Sequence, residues 1–251
     1  MSNFSVSLDN GIAELVFDRP PVNAFNSQGW ADIAGEIQRL GSDSGVRVIV
    51  IRAEGRGFCA GVDIKELAAD SNLIVAVNKG NYDTFKAIHR NPKPVIVAVH
   101  GFVLGGGIGI CGAADILVAS ECARFGVPEV DRGAMGGGAH LQRLFPVQKV
   151  RHMYFTGEMI DAAEAYRLGA VERVVKREDL REAALQIARS IAAKSPGMIA
   201  LAKEALNGIE DGNLEDKYRH EQGLTLEAYR SLDSQEARDS FIEKRAAHFN
   251  G

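Results

Sequence analysis

The sequence is short of cysteine, of charge of one sign, and of any hydrophobic run without breaks. Cys59, Cys111 and Cys122 are its three cysteines, odd in number and without a C-x-x-C pair. That excludes a disulfide scaffold or a cysteine-rich zinc module and fits a reducing, cytoplasmic setting. Lysine and arginine number 29 against 33 acidic residues, a formal charge of −4. Without a concentrated basic surface, nucleic acid is not an expected partner, although one local basic pocket remains compatible with the balance. The first ten residues have no basic start and no apolar core, so no signal peptide is predicted. Within residues 95–114 the only polar side chain is His100, and twenty such residues could span a bilayer. Six of the residues from Gly101 to Gly112 are glycine, however. The stretch therefore reads as buried strand, tight turn and buried helix, and no membrane association is expected.

What is present is the composition of an ordinary soluble globular chain: 251 residues, 46% hydrophobic and 25% charged, with no internal repeat or low-complexity linker. Strands are predicted over 12–17, 46–51, 95–99 and 116–119. Ser27 is the expected cap of a helix presenting Trp30, Ile33, Ala34, Ile37 and Leu40 on one face, with Gly41 ending it. A helical region spans about 63–90, and a short helix follows the glycines at 105–107. Strands alternating with helices imply an α/β class. After about residue 140 only 171–175 reads as strand, and helices are expected near 161–168, 179–194, 197–208, 213–231 and 234–247. The division is an α/β core over 1–190 and a C-terminal helical region over 191–251.

Serine-hydrolase elbow, zincin and P-loop motifs are absent. Gly107-Ile108-Gly109-Ile110-Cys111-Gly112 matches the G-x-G-x-x-G dinucleotide fingerprint. The next strand begins only three or four residues later, too soon for the crossover helix that fingerprint requires. Two other loops carry more. Gly55 to Lys65 and Gly105-Gly106-Gly107 each place small residues where a strand ends and a helix begins. Unsatisfied N–H groups at a helix start favour an anion, and two aimed at one point would form an oxyanion hole. The alternative for either loop is a tight turn that only packs. Glu129, after a short strand and before a glycine-rich loop, is the candidate proton carrier, against the alternative of a solvated loop acid. Asp131 is a second candidate, or a salt-bridge partner of Arg132 or Arg143. His140 sits among small residues, where an imidazole could face a cleft.

Taken in order, these segments resemble the crotonase, or enoyl-CoA hydratase/isomerase, superfamily. The resemblance runs from Pro21-Val22-Asn23-Ala24-Phe25 through Phe58-Cys59-Ala60-Gly61-Val62-Asp63-Ile64-Lys65-Glu66, Gly105-Gly106-Gly107 and Phe125-Gly126-Val127-Pro128-Glu129 to Phe241-Ile242-Glu243-Lys244-Arg245. It implies a spiral of β-β-α units with a C-terminal helical trimerisation region. It implies acyl-CoA thioester substrates, a homotrimer or a dimer of trimers, and neither metal nor redox cofactor. It places the oxyanion hole at the N–H groups of Val62 and Gly106, and CoA contacts near Asn23, Ala24, Phe25, Ala60, Asp63 and Ile64. Lys244 matches a basic residue that reaches phosphate. Hydratases of this family carry two glutamates; the second corresponds to Glu129, but the first falls at Gly109, which has no side chain. One carboxylate still suffices for proton transfer between carbons or for activating water toward a ketone.

Longer strings, among them Pro128-Glu129-Val130-Asp131-Arg132-Gly133-Ala134, His140-Leu141 and Ala202-Lys203-Glu204-Ala205-Leu206-Asn207, are similar to one branch of the family. That branch holds the bacterial steroid-degradation hydrolases that open a ring of an indanedione-type carboxyl-CoA. The resemblance implies water addition to a ring ketone followed by a retro-Claisen C–C cleavage. Glu129 would activate the water, and Asp131 or His140 would handle the second proton. The alternatives are an enoyl-CoA hydratase or isomerase, a non-catalytic CoA-binding protein, and a dinucleotide enzyme.

Overall fold

A computed structural model describes residues 3–129, 136–210, 231–243 and 245–249. Its strands are β1 (Phe4–Asp9), β2 (Ile12–Phe17), β3 (Ala24–Phe25), β4 (Val48–Ala53), β5 (Gly61–Val62), β6 (Val95–Val99), β7 (Phe102–Leu104), β8 (Ile116–Ser120), β9 (Arg124–Gly126), β10 (Ile160–Asp161) and β11 (Arg173–Val175). Its helices are α1 (Ser27–Ser42), α2 (Ile64–Ala69), α3 (Ile74–His89), α4 (Gly106–Ala113), α5 (Gly138–Leu144), α6 (Val147–Thr156), α7 (Ala162–Arg167), α8 (Leu180–Ala192), α9 (Pro196–Glu210) and α10 (Leu232–Glu243).

Four β-β-α units follow one another: β2-β3-α1, β4-β5-α2/α3, β6-β7-α4 and β8-β9-α5. The first strand of each unit joins a six-stranded sheet in the order β1-β2-β4-β6-β8-β11, parallel except for the β1–β2 hairpin. The second strands lie outside it, β3 with β5 and β7 with β9 and β10. The continuous apolar runs of the main strands follow from burial on both faces. In β4, Val48 and Val50 meet Leu180, Ala184 and Ala188 of α8, while Ile49 and Ile51 belong to the core that holds Trp30, Ile33 and Ile37 of α1. Glu14 on β2 receives Arg52 of β4 and Arg181 of α8, which ties α8 to the sheet.

Several boundaries differ from expectation. Asn26, not Ser27, caps α1: its Oδ1 accepts the Gly29 N–H at 2.9 Å. Gly41 does not end that helix, which runs to Ser42. It lies against the Asn91 carboxamide, which a Cβ at Gly41 would meet at 2.8 Å, so it is small for packing. The glycine turn after β6 contains β7, and α5 and α6 fill a stretch that carried no helix expectation. The helix expected over 213–231 lies outside the described residues. Among those described, no helix is long and apolar enough to cross a membrane.

Candidate active site

The second strands deliver short loops to the start of α4. Gly105, at φ 51°, turns the chain from β7 into that helix, a conformation that favours glycine. A Cβ on Gly105 would fall 2.2 Å from Glu129 Oε1, so the carboxylate lies directly against the backbone there. Gly61, at φ 90°, approaches from β5; its Cβ would fall 3.0 Å from the Gly106 nitrogen. The Gly106 N–H opens α4 and has no intrahelical acceptor. The Asp63 N–H donates to the Phe25 carbonyl at 2.9 Å. Because successive amides of a strand alternate in direction, the Val62 N–H points away from β3.

Val62, Gly105, Gly106 and Glu129 line one cavity of about 320 Å³, with Phe85, Asn81 and apolar side chains of α2 and α3. Two of its polar atoms, Glu129 Oε2 and Asn81 Oδ1, are shut off from solvent. No hydrogen-bond donor reaches Asn81 Oδ1 among the described residues. Cys59 borders this region, but burial pushes its thiol up to about 12, which makes it a poor nucleophile.

The glycines of the apparent dinucleotide fingerprint meet protein. A Cβ would strike the Cys59 carbonyl from Gly107 at 2.8 Å, the Phe85 ring from Gly109 at 2.1 Å, and the His140 carbonyl from Gly112 at 2.4 Å. Their spacing lets the Cys59 loop, α3 and α5 close on one short helix. Phe85 thus fills the space over Gly109, edge-on to Trp30, with centroids 6.0 Å apart.

Ala60 and Ile64 line the cavity with Val62. Asn23 is buried, and its side chain is engaged in its own loop: it accepts the Arg19 N–H at 2.7 Å and donates to the carbonyls of Glu54 and Gly57. Ala24 presents its carbonyl to Arg19. The Phe25 ring is fully buried against Phe17 and Trp30. Asp63 caps α2 through the Lys65 N–H and pairs with Arg19 at 3.1 Å. Asp131 and Lys244 lie outside the described residues.

His140 stands apart from Glu129. Its ring packs edge-on against Phe85, centroids 4.6 Å apart, and lines a second cavity with Lys86, His89, Arg90 and Arg143. Burial, then the nearby Arg143 charge, lowers the pKa of both His140 and His89, which favours the neutral imidazole at each. Sequence reasoning missed Asn81 and Phe85, since periodicity marks α3 as a helix without showing which side chains enter the site. The absent side chain at Gly109 was the one available signal that a neighbour fills that space.

Residues 7–251 match the enoyl-CoA hydratase/isomerase family model. The chain is 45% identical over 242 residues, 96% of its length and 98% of the relative's, to the (7aS)-7a-methyl-1,5-dioxo-2,3,5,6,7,7a-hexahydro-1H-indene-carboxyl-CoA hydrolase of Mycobacterium tuberculosis. It is also 45% identical over 245 residues to the hydrolase of the same name from Rhodococcus jostii, covering 96% of this chain and 95% of that one. A probable enoyl-CoA hydratase of Bacillus subtilis is 34% identical over 260 residues, with both chains fully covered. The crystal structure of an enoyl-CoA hydratase from Mycobacterium smegmatis superposes with a TM-score of 0.94 at 28% identity, covering 99% of each chain. With a family match over nearly its whole length, and the glycine loops and acid in the order the resemblance requires, the chain belongs to the enoyl-CoA hydratase/isomerase family.

Proposed function

We propose that the protein hydrolyses a C–C bond in a cyclic keto acyl-CoA, a bicyclic dioxo-indene carboxyl thioester like that named for its 45%-identical relatives. The thioester carbonyl sits at the start of α4, its oxygen accepting from the N–H groups of Val62 and Gly106. Negative charge on that oxygen strengthens both hydrogen bonds, and the helix N-terminus adds a favourable potential. Glu129, beside Gly105, removes a proton from water as the oxygen adds to the ring ketone. The ring C–C bond then breaks. Its electron pair moves to the carbon conjugated with the thioester, and the charge settles on the oxygen held by the two amides. Glu129 returns its proton to that carbon. Water has supplied OH to the new carboxylic acid and H to the carbon, and the enzyme is unchanged.

Asn81 lines the same cavity, where a turn of its carboxamide would offer an acceptor for the second water hydrogen. One carboxylate is sufficient because the proton that Glu129 takes is the proton it gives back. The chemistry requires neither metal nor redox cofactor. Assembly as a homotrimer or a dimer of trimers, and a cytoplasmic setting, belong to the same reading.

The observation that carries the proposal is the pairing at α4: Glu129 against Gly105, and Phe85 where a second carboxylate would have to stand over Gly109. The test is to supply the dioxo-indene carboxyl-CoA and crotonyl-CoA separately. Consumption of the first with gain of one water is expected, and Glu129→Gln should lower that rate by about 10²–10⁴-fold while thioester affinity persists. Efficient hydration of crotonyl-CoA, with no action on the bicyclic ketone, would make the protein a hydratase instead.

A further inference from the structure

Phe85 has a cavity on each side. The one that holds Glu129 takes the thioester in the reading above. The other, about 470 Å³, lies between α3 and α5 and has a different character. Its charged lining among the described residues is Lys86, Arg90, Arg143 and Glu210. Arg143 and Glu210 answer each other in a two-pronged pair at 2.8 Å per contact, and Arg143 Nη1 also donates to the carbonyls of Gly112 and Ala114. Neither Lys86 nor Arg90 forms an ion pair among the described residues, although Lys86 lies 5.8 Å above the Tyr82 ring. The His140 imidazole makes no hydrogen bond to any described residue and lines the cavity beside two cations. The set complements an anion.

Helix α4 acts as a ruler between the two cavities. Gly106 marks the thioester end, Gly109 touches Phe85, and Gly112 touches His140. At 1.5 Å of rise per residue, each step is about 4.5 Å and the whole span about 9 Å. That span suits one carbocycle with a short arm, and ring opening turns a neutral ketone into exactly such an arm ending in an acid.

Resting on the acyl-CoA reading above, we propose that the cavity lined by Lys86, Arg90 and His140 is an anion subsite. It receives the carboxylate that ring opening creates on the acyl group, with Phe85 as the movable partition between the neutral and anionic ends.

The probes are cyclohex-1-ene-1-carboxyl-CoA, its 2-(2-carboxyethyl) derivative, and free CoA, titrated calorimetrically into the wild-type protein and the Lys86→Gln/Arg90→Gln variant. Both substitutions are at exposed positions. The wild type should prefer the carboxyethyl thioester by about tenfold, the scale of one charge-assisted hydrogen bond, and the variant should show a preference near one. Equal binding of the two thioesters by the wild type, or a preference that survives the double substitution, overturns the subsite and leaves the acyl-CoA reading standing. A variant that loses free CoA as strongly as the carboxyethyl thioester marks a phosphate site and also overturns it. If neither thioester binds the wild type, both readings fall.

Discussion

The two halves of α3 treat polar groups in opposite ways. At the C-terminal end, side chains of α9 answer backbone carbonyls of α3 and of the turn after it. Lys203 of α9, only 6% exposed, donates to the carbonyls of Ile88 and Lys93 at 3.1 Å and to Asp115 at 2.7 Å. Asn207 donates to the His89 carbonyl at 2.8 Å, and Asp115 also accepts the Val95 N–H at 2.6 Å. Burial lowers the Lys203 pKa, and Asp115 opposes that shift by holding the charged form. Toward the middle of the same helix, Asn81 lines the cavity that holds Glu129, and its buried carbonyl oxygen meets no described donor. A buried acceptor without a donor is costly. The contrast assigns one end of the helix to holding the C-terminal segment on the core and the other to meeting a ligand.

The largest effect on stability should come from the satisfied end. Lys203→Met removes the cation but leaves Asp115 beneath α9, and should cost about 3 kcal/mol in urea unfolding. A loss below about 1 kcal/mol would show that the cluster is incidental. Gly109→Ala should cost about 1–3 kcal/mol, because its Cβ would have to displace the Phe85 ring. Combining it with Phe85→Ala should recover part of that loss, and a double variant no better than the single one would deny the contact. The smallest stability effect, of opposite sign, belongs to the open end. Asn81→Leu removes an unmatched acceptor and improves helix propensity, so stability should hold or rise by about 1 kcal/mol. Its turnover should fall about tenfold or more, on the scale of a lost hydrogen bond in the transition state. A variant that loses stability but keeps its rate would erase the distinction between the two ends.

Much of this was legible in the chain itself. The β-branched runs of β2, β4 and β6 show as strands because both of their faces are buried, and α1 shows because its apolar residues repeat at helical spacing. Glu129 and the two glycine loops were visible as small residues and an acid at strand ends. The rest depends on contacts distant in sequence. Strands of two or three residues, such as β5, β7 and β10, leave too little pattern to read. Lys203 looks like any helix-surface lysine until α9 lies across the end of α3. His140 has the surroundings of a cleft residue, but only the position of Phe85 shows that its cleft is separate from that of Glu129. The G-x-G-x-x-G spacing records three close approaches of protein to protein, which motif matching cannot distinguish from an approach to a dinucleotide.

The central claim concerns one oxygen atom. A crystal structure with a non-hydrolysable acyl-CoA analogue should place the thioester oxygen about 3 Å from the nitrogens of both Val62 and Gly106, with the Glu129 carboxylate facing the acyl group. A thioester oxygen bonded elsewhere in the cavity, or a Glu129 turned away from the acyl group, would contradict the account.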